Sequence, residues 1–186
     1  KGYMDFKINS SIVSISKNKK NIYIALNISE GSRYNIGSIK IKGNLPDSIT
    51  LNSLEEELMI KPGEIFNRGK LNQSSKNINR KLGNYGYAFS NVSPVPDVNK
   101  IQKTVDFTFF IDQGKKIYVR RVNIIGNEKT KDEVVRRELR QLESSWFSQE
   151  KIDRSKTRLT RTQYFDSIDI ETPSVPGVSD QIDLNI

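Results

Sequence analysis

Apolar and polar residues alternate strictly in three separate stretches of the chain. The apolar side chains occupy every second position in residues 22–28, 105–111 and 182–186. Successive side chains of a β-strand point to opposite faces, so a strand that is buried on one face shows this period of two. Each stretch therefore predicts a half-buried strand.

A helical period marks two further segments. The spacing i, i+4, i+7, i+11, i+14 falls on Leu71, Ser75, Ile78, Leu82 and Tyr85. Such positions share one face of an α-helix. A looser version runs through Ile152, Leu159 and Tyr164, with Ser148 as the expected N-cap.

A shorter helix is predicted before each of these two. Thr50 or Ser53 is the expected N-cap of the first short helix. Thr130 and Glu133 have the spacing of a capping box, in which the hydroxyl and the carboxylate satisfy free backbone N–H groups at the helix start. The order of elements is therefore strand, two helices, then two strands.

The same order occurs twice, because short phrases recur at a fixed distance. IKIKGN (39–44) returns 83 positions later as VNIIGN (122–127), and the glycines that end ISEG and IDQG have the same separation. We therefore predict an α+β fold of tandem βααββ units. Each unit is expected to be a three-stranded mixed sheet with two helices on one face. Its third strand should be central, parallel to the first and in a hairpin with the second.

Composition removes several classes of function. The 186 residues include no cysteine and no histidine, which excludes disulfides and thiolate metal sites and removes the commonest general base. The acidic residues show no spacing of a metal loop or a catalytic pair, and no glycine-rich phosphate loop is present. We therefore expect no enzyme activity and no cofactor.

The basic charge leaves one alternative open. The net charge is +8 and the pI is about 9.6, which suits a basic α/β repeat that binds nucleic acid. Acids are interspersed with the lysines and arginines, however, and neither a GXXG loop nor a cluster of exposed aromatics with basic residues is present. A mixed-charge solvated surface without nucleic acid is the favoured interpretation.

Taken together, the strand phrases, the GNYGYAF helix exit and the segment YVRRVNIIGNEKTKDEVVRRELRQLESSWF resemble the POTRA domains of the Omp85 family. The resemblance implies the C-terminal hairpin of a truncated third domain in 1–31, a fourth domain in 32–114 and a fifth in 115–186. The chain begins abruptly, so we expect a piece of a longer protein whose C-terminal membrane barrel is absent here.

The function implied by the resemblance is that of a scaffold on the periplasmic side of the bacterial outer membrane. Such a scaffold binds lipoprotein partners and unfolded outer-membrane proteins for folding and insertion. Another Omp85-type translocation array is the alternative within the family.

RRELRQ (136–141) is the first candidate site. Helical spacing directs Val135, Leu139 and Leu142 to the core, and it directs outward the charged residues Arg136, Arg137, Glu138 and Arg140. The pattern alone favours an ordinary polar helix face with weak ion pairs. The resemblance implies instead that Glu138 contacts a BamD-like lipoprotein, with the three arginines beside it.

Residues 6–15 are the second candidate site. As an edge strand, this segment would offer free backbone groups to an added strand. The expected edge residues are Phe6, Ile8, Ser10, Ile12 and Ile15. The resemblance implies that a BamB-like lipoprotein docks at the edge of the third unit, while an ordinary protected edge is the alternative. Pro94 and Pro96 make residues 91–99 a weaker candidate, since proline cannot donate to a ladder.

Trp146 and Phe147 lie between the two helices of the last unit. A packing role is predicted for them, with Phe147 at the position of Phe66, and an exposed interaction anchor is the alternative.

Overall fold

The computed structural model describes residues 2–186. The elements are β1 Lys7–Ile15, β2 Ile22–Ser29, β3 Asn35–Gly43, α1 Leu51–Glu55, α2 Arg68–Asn84, β4 Asn91–Asn99, β5 Thr104–Asp112, β6 Tyr118–Asn123, α3 Asp132–Arg136, β7 Ser145–Trp146, α4 Gln149–Thr162 and β8 Gln181–Asn185. No helix in this range has both the length and the apolar character needed to cross a membrane.

The middle unit has the predicted mixed sheet. Its strand order is β3-β5-β4, with β5 parallel to β3 and antiparallel to β4. The alternation along β5 is the reason for its central place, since its inward side chains form the core with those of both helices. That core includes Val105, Phe107, Phe109, Ile111, Leu54, Leu71, Ile78 and Leu82. The prediction of a central third strand is confirmed here.

The last unit keeps the parallel pair but has a weaker hairpin. Its strand order is β7-β6-β8, with β6 and β8 parallel. The prediction of a central third strand is therefore wrong for this sheet, in which β6 is central. The expected second strand consists of two isolated bridges, Glu171 with Asn185 and Ser174 with Ile182. Pro173 lies between these bridges and has no N–H to donate. The α+β fold of tandem mixed-sheet units is confirmed. The two units differ in the second strand of the hairpin, which is complete in the middle unit and reduced to two bridges in the last unit.

The long helix α4 starts at the predicted N-cap, Ser148, whereas the short helices follow the prediction in one unit only. Thr50 is the N-cap of α1, and its side chain accepts from the backbone N of Ser53. The capping box predicted at Thr130 is wrong, because Lys131 is the N-cap of α3 and makes no side-chain cap bond. The Asn127 amide donates to the Thr130 carbonyl (2.8 Å), which holds Thr130 in the preceding turn.

The two helical pairs repeat at a spacing of 81 residues. Ser74 and Ser155 are fully buried on α2 and α4. Their hydroxyls accept from the backbone N of Met59 (2.8 Å) and of Arg140 (2.7 Å) respectively. These bonds fix the turn after the short helix to the long helix in both units, so Met59 and Arg140 occupy equivalent positions.

Direct contacts join the middle unit to the last one. The Asn84 side-chain oxygen at the end of α2 accepts from the backbone N of Glu150 in α4 (2.8 Å). Arg80 and Asp153 form an ion pair between the same helices (3.0 Å). The Gly86 carbonyl accepts from Ile117 N (2.8 Å). The end of α2 therefore supplies contacts to the start of α4.

The first two strands form an antiparallel hairpin. Every residue of β1 and β2 is exposed. The strand predicted at residues 22–28 is present, but the prediction that it is half-buried is wrong, because no described part of the chain covers its apolar side chains. Near the start of β1 the register shifts between Ile8 and Ser10, which is a β-bulge. The hairpin is followed by the middle unit, where Tyr34 N donates to the carbonyl of Gly2 (2.9 Å). The unit boundaries given above stay a prediction.

Candidate functional site

The RRELRQ segment is less helical than expected. Helix α3 ends at Arg136, and residues 137–141 form turns that lead towards β7. Val135 and Leu139 are buried as predicted, but the prediction for Leu142 is wrong, because its side chain is 62% exposed. The helix unwinds after Arg136, so the helical spacing no longer applies, and Gln141 takes the inward position instead.

Glu138 is the second correction in this segment. The side chains of Arg136, Arg137 and Arg140 are exposed as expected, whereas the Glu138 side chain is only 17% exposed. Its Oε2 atom lies 2.7 Å from Nη2 of Arg158 on α4, and its Oε1 atom lies 3.6 Å from Nε of Arg137. Glu138 is therefore paired with an arginine of α4 and mostly buried, which the spacing along one helix could not show.

Gln141 organises the segment that follows. Its side chain is fully buried, and its amide donates to the Ser145 hydroxyl (2.8 Å) and the Trp146 carbonyl (3.1 Å). Its side-chain oxygen accepts from the backbone N of Ser148 (2.9 Å). At the spacing of 81 residues the equivalent residue is Ile60, which is buried in an apolar core. The last unit therefore uses a polar residue there to fix the path of residues 142–148.

Trp146 and Phe147 have different environments. Phe147 is buried like Phe66, in agreement with the predicted packing role. Trp146 is 52% exposed, and its indole contacts the Tyr118 ring edge to face at 5.5 Å between centroids. The Lys116 ammonium lies 4.7 Å from the indole centroid, a cation–π contact. Trp146 is thus a surface aromatic, which departs from the predicted packing role.

Arg136 is engaged within the unit. Its guanidinium contacts Glu143 (3.3 Å) and donates to the carbonyl of Val122 on β6 (3.1 Å). The backbone N–H of Val122, and then Arg136, hold the pKa of the Glu143 carboxyl below its usual range. Arg137 and Arg140 are also exposed, and the Arg140 guanidinium donates to the Leu139 carbonyl (3.1 Å). We call Arg137, Glu138, Arg140, Leu142 and Trp146 the Glu138 surface.

The other candidate, β1, is an open strand. The two-stranded sheet leaves the outer side of β1 without a strand partner within residues 2–186. Phe6 precedes the strand, and the other candidates lie on it: Ile8, Ser10, Ile12 and Ile15. Because directly paired residues share a face, the register places Ile8 and Ile15 on one face and Ser10 and Ile12 on the other. The shared feature of these residues is therefore the backbone edge.

Within residues 2–186, no group of three or more acidic side chains is placed to hold a metal ion. The two candidate sites are a turn with charged and apolar side chains and an exposed strand edge.

Comparison with known proteins gives a family and close structural relatives. The family model for POTRA, described as a surface antigen variable number repeat, matches residues 34–114 and 117–186. The outer membrane protein assembly factor BamA of Neisseria meningitidis serogroup B is 38% identical over 185 residues, which cover 100% of this chain and 23% of that protein. BamA of Buchnera aphidicola is 33% identical over 184 residues, 98% of this chain and 29% of that protein. The chain thus spans less than a third of these relatives.

Solved structures agree with the sequence comparison. The crystal structure of Haemophilus influenzae BamA POTRA3-5 superposes with a TM-score of 0.91 at 29% identity, covering 99% of this chain and 72% of that one. BamA from Haemophilus ducreyi lacking POTRA domains 1-3 gives a TM-score of 0.69 at 33% identity, over 82% of this chain and 28% of that one. The high score over nearly the whole chain extends the likeness to the arrangement of the units.

Proposed function

Because the chain belongs to the POTRA family and matches the POTRA region of BamA along its whole length, we propose that it is a non-catalytic scaffold of outer-membrane protein assembly. It lies on the periplasmic side of the outer membrane, where it binds lipoprotein partners and unfolded outer-membrane protein clients. The observation that carries this proposal is the superposition on POTRA3-5 over 99% of the chain. In this assignment the β1–β2 hairpin belongs to the third domain.

Docking of a BamD-like lipoprotein is assigned to the Glu138 surface. Three features support this assignment: two accessible arginines beside one acid, an exposed leucine and tryptophan, and a buried glutamine that fixes the backbone between them. Interfaces obtain most of their affinity from a few aromatic and arginine residues in a preorganised setting. The turn supplies both kinds of residue without having to fold on binding.

The open edge of β1 is assigned to strand addition. A BamB-like lipoprotein or an extended client segment would pair with the backbone there, which needs free N–H and C=O groups more than particular side chains. The exposed strand and its lack of an outer partner within the described residues support this assignment. A photoreactive residue at Ile12 of the full-length protein should crosslink to one of these partners in cells, and the absence of both products would refute it.

Charge reversal at Glu138 tests the docking assignment. We expect Glu138→Lys to weaken binding of the BamD-like lipoprotein by about 2 kcal/mol or more, because an opposed charge at an interface becomes a like charge. Binding is measured by titration calorimetry with the purified, lipid-free partner. Glu133→Lys, an exposed acid on α3, is the control and should bind like the wild type.

The same change also removes the Arg158 contact, so folding has to be followed separately. Circular dichroism and a thermal melt report whether the variant keeps its fold. A folded Glu138→Lys variant with wild-type affinity would show that the lipoprotein docks elsewhere. An equal loss for Glu133→Lys would show that only the overall charge matters.

A further inference from the structure

Two adjoining cavities form an open groove on the last unit. Their volumes are about 280 Å³ and about 330 Å³, and both are lined by Gly126, Asn127, Phe165 and Ser167. We call them together the Phe165 groove. These volumes lie near the lower limit of pockets for small molecules, about 300–1,000 Å³. The space therefore suits one or two side chains of a peptide better than a cofactor.

The floor of the Phe165 groove is apolar. The first cavity reaches the buried side chains of Val135 on α3 and Leu159 on α4, and the half-buried Phe165 and Ile168 also line it. A further lining residue, Ile125, is 69% exposed. Because the removal of apolar surface from water is favourable, this floor would hold an apolar side chain.

The rim of the groove carries more negative than positive charge. Three exposed acids line it, Glu128, Asp166 and Asp169, together with the basic residue Lys129. None of the three acids forms an ion pair within residues 2–186. Residues 162–186 contain five acidic and no basic residues, although the net charge of the chain is +8. Such a rim attracts a basic ligand and repels an anionic membrane surface.

The middle unit covers the equivalent floor with its own side chains. After the Gly-Asn turn of β3, six residues lead to α1, and among them Pro46 and Ile49 are buried and Leu45 packs against the core. After the matching turn of β6, only four residues lead to α3, and they are the polar residues 128–131. The floor of the last unit is therefore open to a ligand where that of the middle unit is closed.

Hydrogen bonds fix one side of the groove. The Asn127 side-chain amide donates to the Thr130 carbonyl (2.8 Å) and to the Asp132 carboxylate (2.7 Å). The backbone N of Ile125 donates to the carbonyl of Ile186 (2.8 Å). Because this side is ordered before a ligand arrives, little ordering of the backbone remains to oppose binding.

We propose that the Phe165 groove binds an extended peptide segment of a partner protein, in which one large apolar side chain is flanked by lysine or arginine. The apolar side chain covers Val135 and Leu159, and the basic side chains pair with the acids of the rim. This inference goes beyond the proposed docking of lipoproteins, because no residue of the Glu138 surface or of the β1 edge lines the groove.

An NMR titration of the whole isotope-labelled chain with acetyl-Gly-Lys-Phe-Lys-Gly-amide tests the proposal. The peptide should cause saturable shifts of the amide signals of residues 124–130 and 164–169. Replacement of its phenylalanine with serine should raise Kd about tenfold or more, because the buried ring supplies most of the apolar contact. Replacement of both lysines with glutamate should abolish saturable binding, because like charges then meet at the rim.

Variants of the groove provide the matched comparison. Ser167→Leu adds bulk where the two cavities join and should raise Kd about tenfold or more, because it takes the space of the peptide ring. Asp166→Asn/Asp169→Asn should raise Kd about twofold to tenfold, as expected for partly exposed ion pairs. The controls Ser48→Leu and Asp180→Asn change exposed positions outside the groove and should leave Kd unchanged.

Thermal melts show whether each variant keeps its fold, and Thr130→Ile is the second blocking variant if Ser167→Leu does not fold. Absence of saturable shifts in the wild type, or equal affinity for the serine peptide, would overturn the proposal. Wild-type affinity of a folded blocking variant or of Asp166→Asn/Asp169→Asn would also overturn it. Shifts of the groove signals that depend on the concentration of the chain alone would identify a second copy as the occupant, which would overturn it as well.

Discussion

At the scale of single residues, two aspartates occupy equivalent positions in the two units, and each accepts a hydrogen bond at an irregular point of the parallel strand pair. β3 and β6 each have a bulge against their parallel partner. Asp106 on β5 accepts from the backbone N of Ser38 at the first bulge. Asp183 on β8 accepts from the Arg120 guanidinium at the second (2.8 Å to Nε). These acids carried no recognisable signal in the sequence, because each bulge is formed by pairing with a distant strand.

Both aspartates make the stability of the fold depend on pH. The Ser38 N–H lowers the pKa of the Asp106 carboxyl, and the Arg120 side chain lowers that of Asp183. A carboxyl with a lowered folded-state pKa stabilises the protein above its unfolded-state pKa, about 3.9 for Asp. This stabilisation is lost as the pH falls through the lower folded-state value.

We therefore expect the free energy of unfolding to decrease as the pH falls from about 5 towards 2. Asp106→Asn should lower stability at neutral pH and should flatten part of this dependence, because the amide does not ionise. Urea unfolding at a series of pH values measures both effects. Asp47→Asn, at an exposed position before α1, is the control. A pH dependence that Asp106→Asn leaves unchanged would contradict the assigned contact.

At the scale of elements, the sequence predicted the central strand of the middle unit better than the turn after α3. The alternation of β5 indicated both its burial and its central place, because one period describes the whole strand. The Glu138 surface depends on where a one-turn helix ends and on an arginine from α4. The spacing of residues along a single helix reveals neither of these features. The prediction based on it therefore put Leu142 in the core and Glu138 on the surface, whereas the structure shows the reverse. A polar residue such as Gln141 gave no sign of full burial.

The path of residues 142–148 is expected to depend on Gln141. Gln141→Ile places the residue of the middle unit at this position, so the core should accept the side chain. It leaves the Ser148 N–H and the Trp146 carbonyl without their present partner, at a cost of about 1–3 kcal/mol. Chemical denaturation measures this loss, and Trp146 fluorescence should report a changed environment.

The reverse substitution is the matched control for this prediction. Ile60→Gln buries an amide in the apolar core of the middle unit, and it should destabilise without changing the Trp146 signal. A Gln141→Ile variant with wild-type stability and fluorescence would mean that the amide does not fix this segment.

At the scale of the whole molecule, a hydrogen bond and an ion pair between α2 and α4 join the middle unit to the last one. Ser148 is the N-cap of α4 but makes no side-chain cap bond, and the Asn84 side chain from the middle unit satisfies the Glu150 N–H instead. Asn84 and Glu150 lie 66 positions apart, so the sequence pattern could not reveal the joint.

The most direct test of the scaffold assignment is site-specific photocrosslinking in living cells. A photoreactive residue is placed in the full-length protein at Arg140, on the Glu138 surface, or at Lys76, an exposed position of α2 in the middle unit. The account predicts a crosslink to the BamD-like lipoprotein from position 140, its loss when Glu138→Lys is added, and none from position 76. A crosslink of equal strength from both positions, or from position 76 alone, would contradict docking at the last unit.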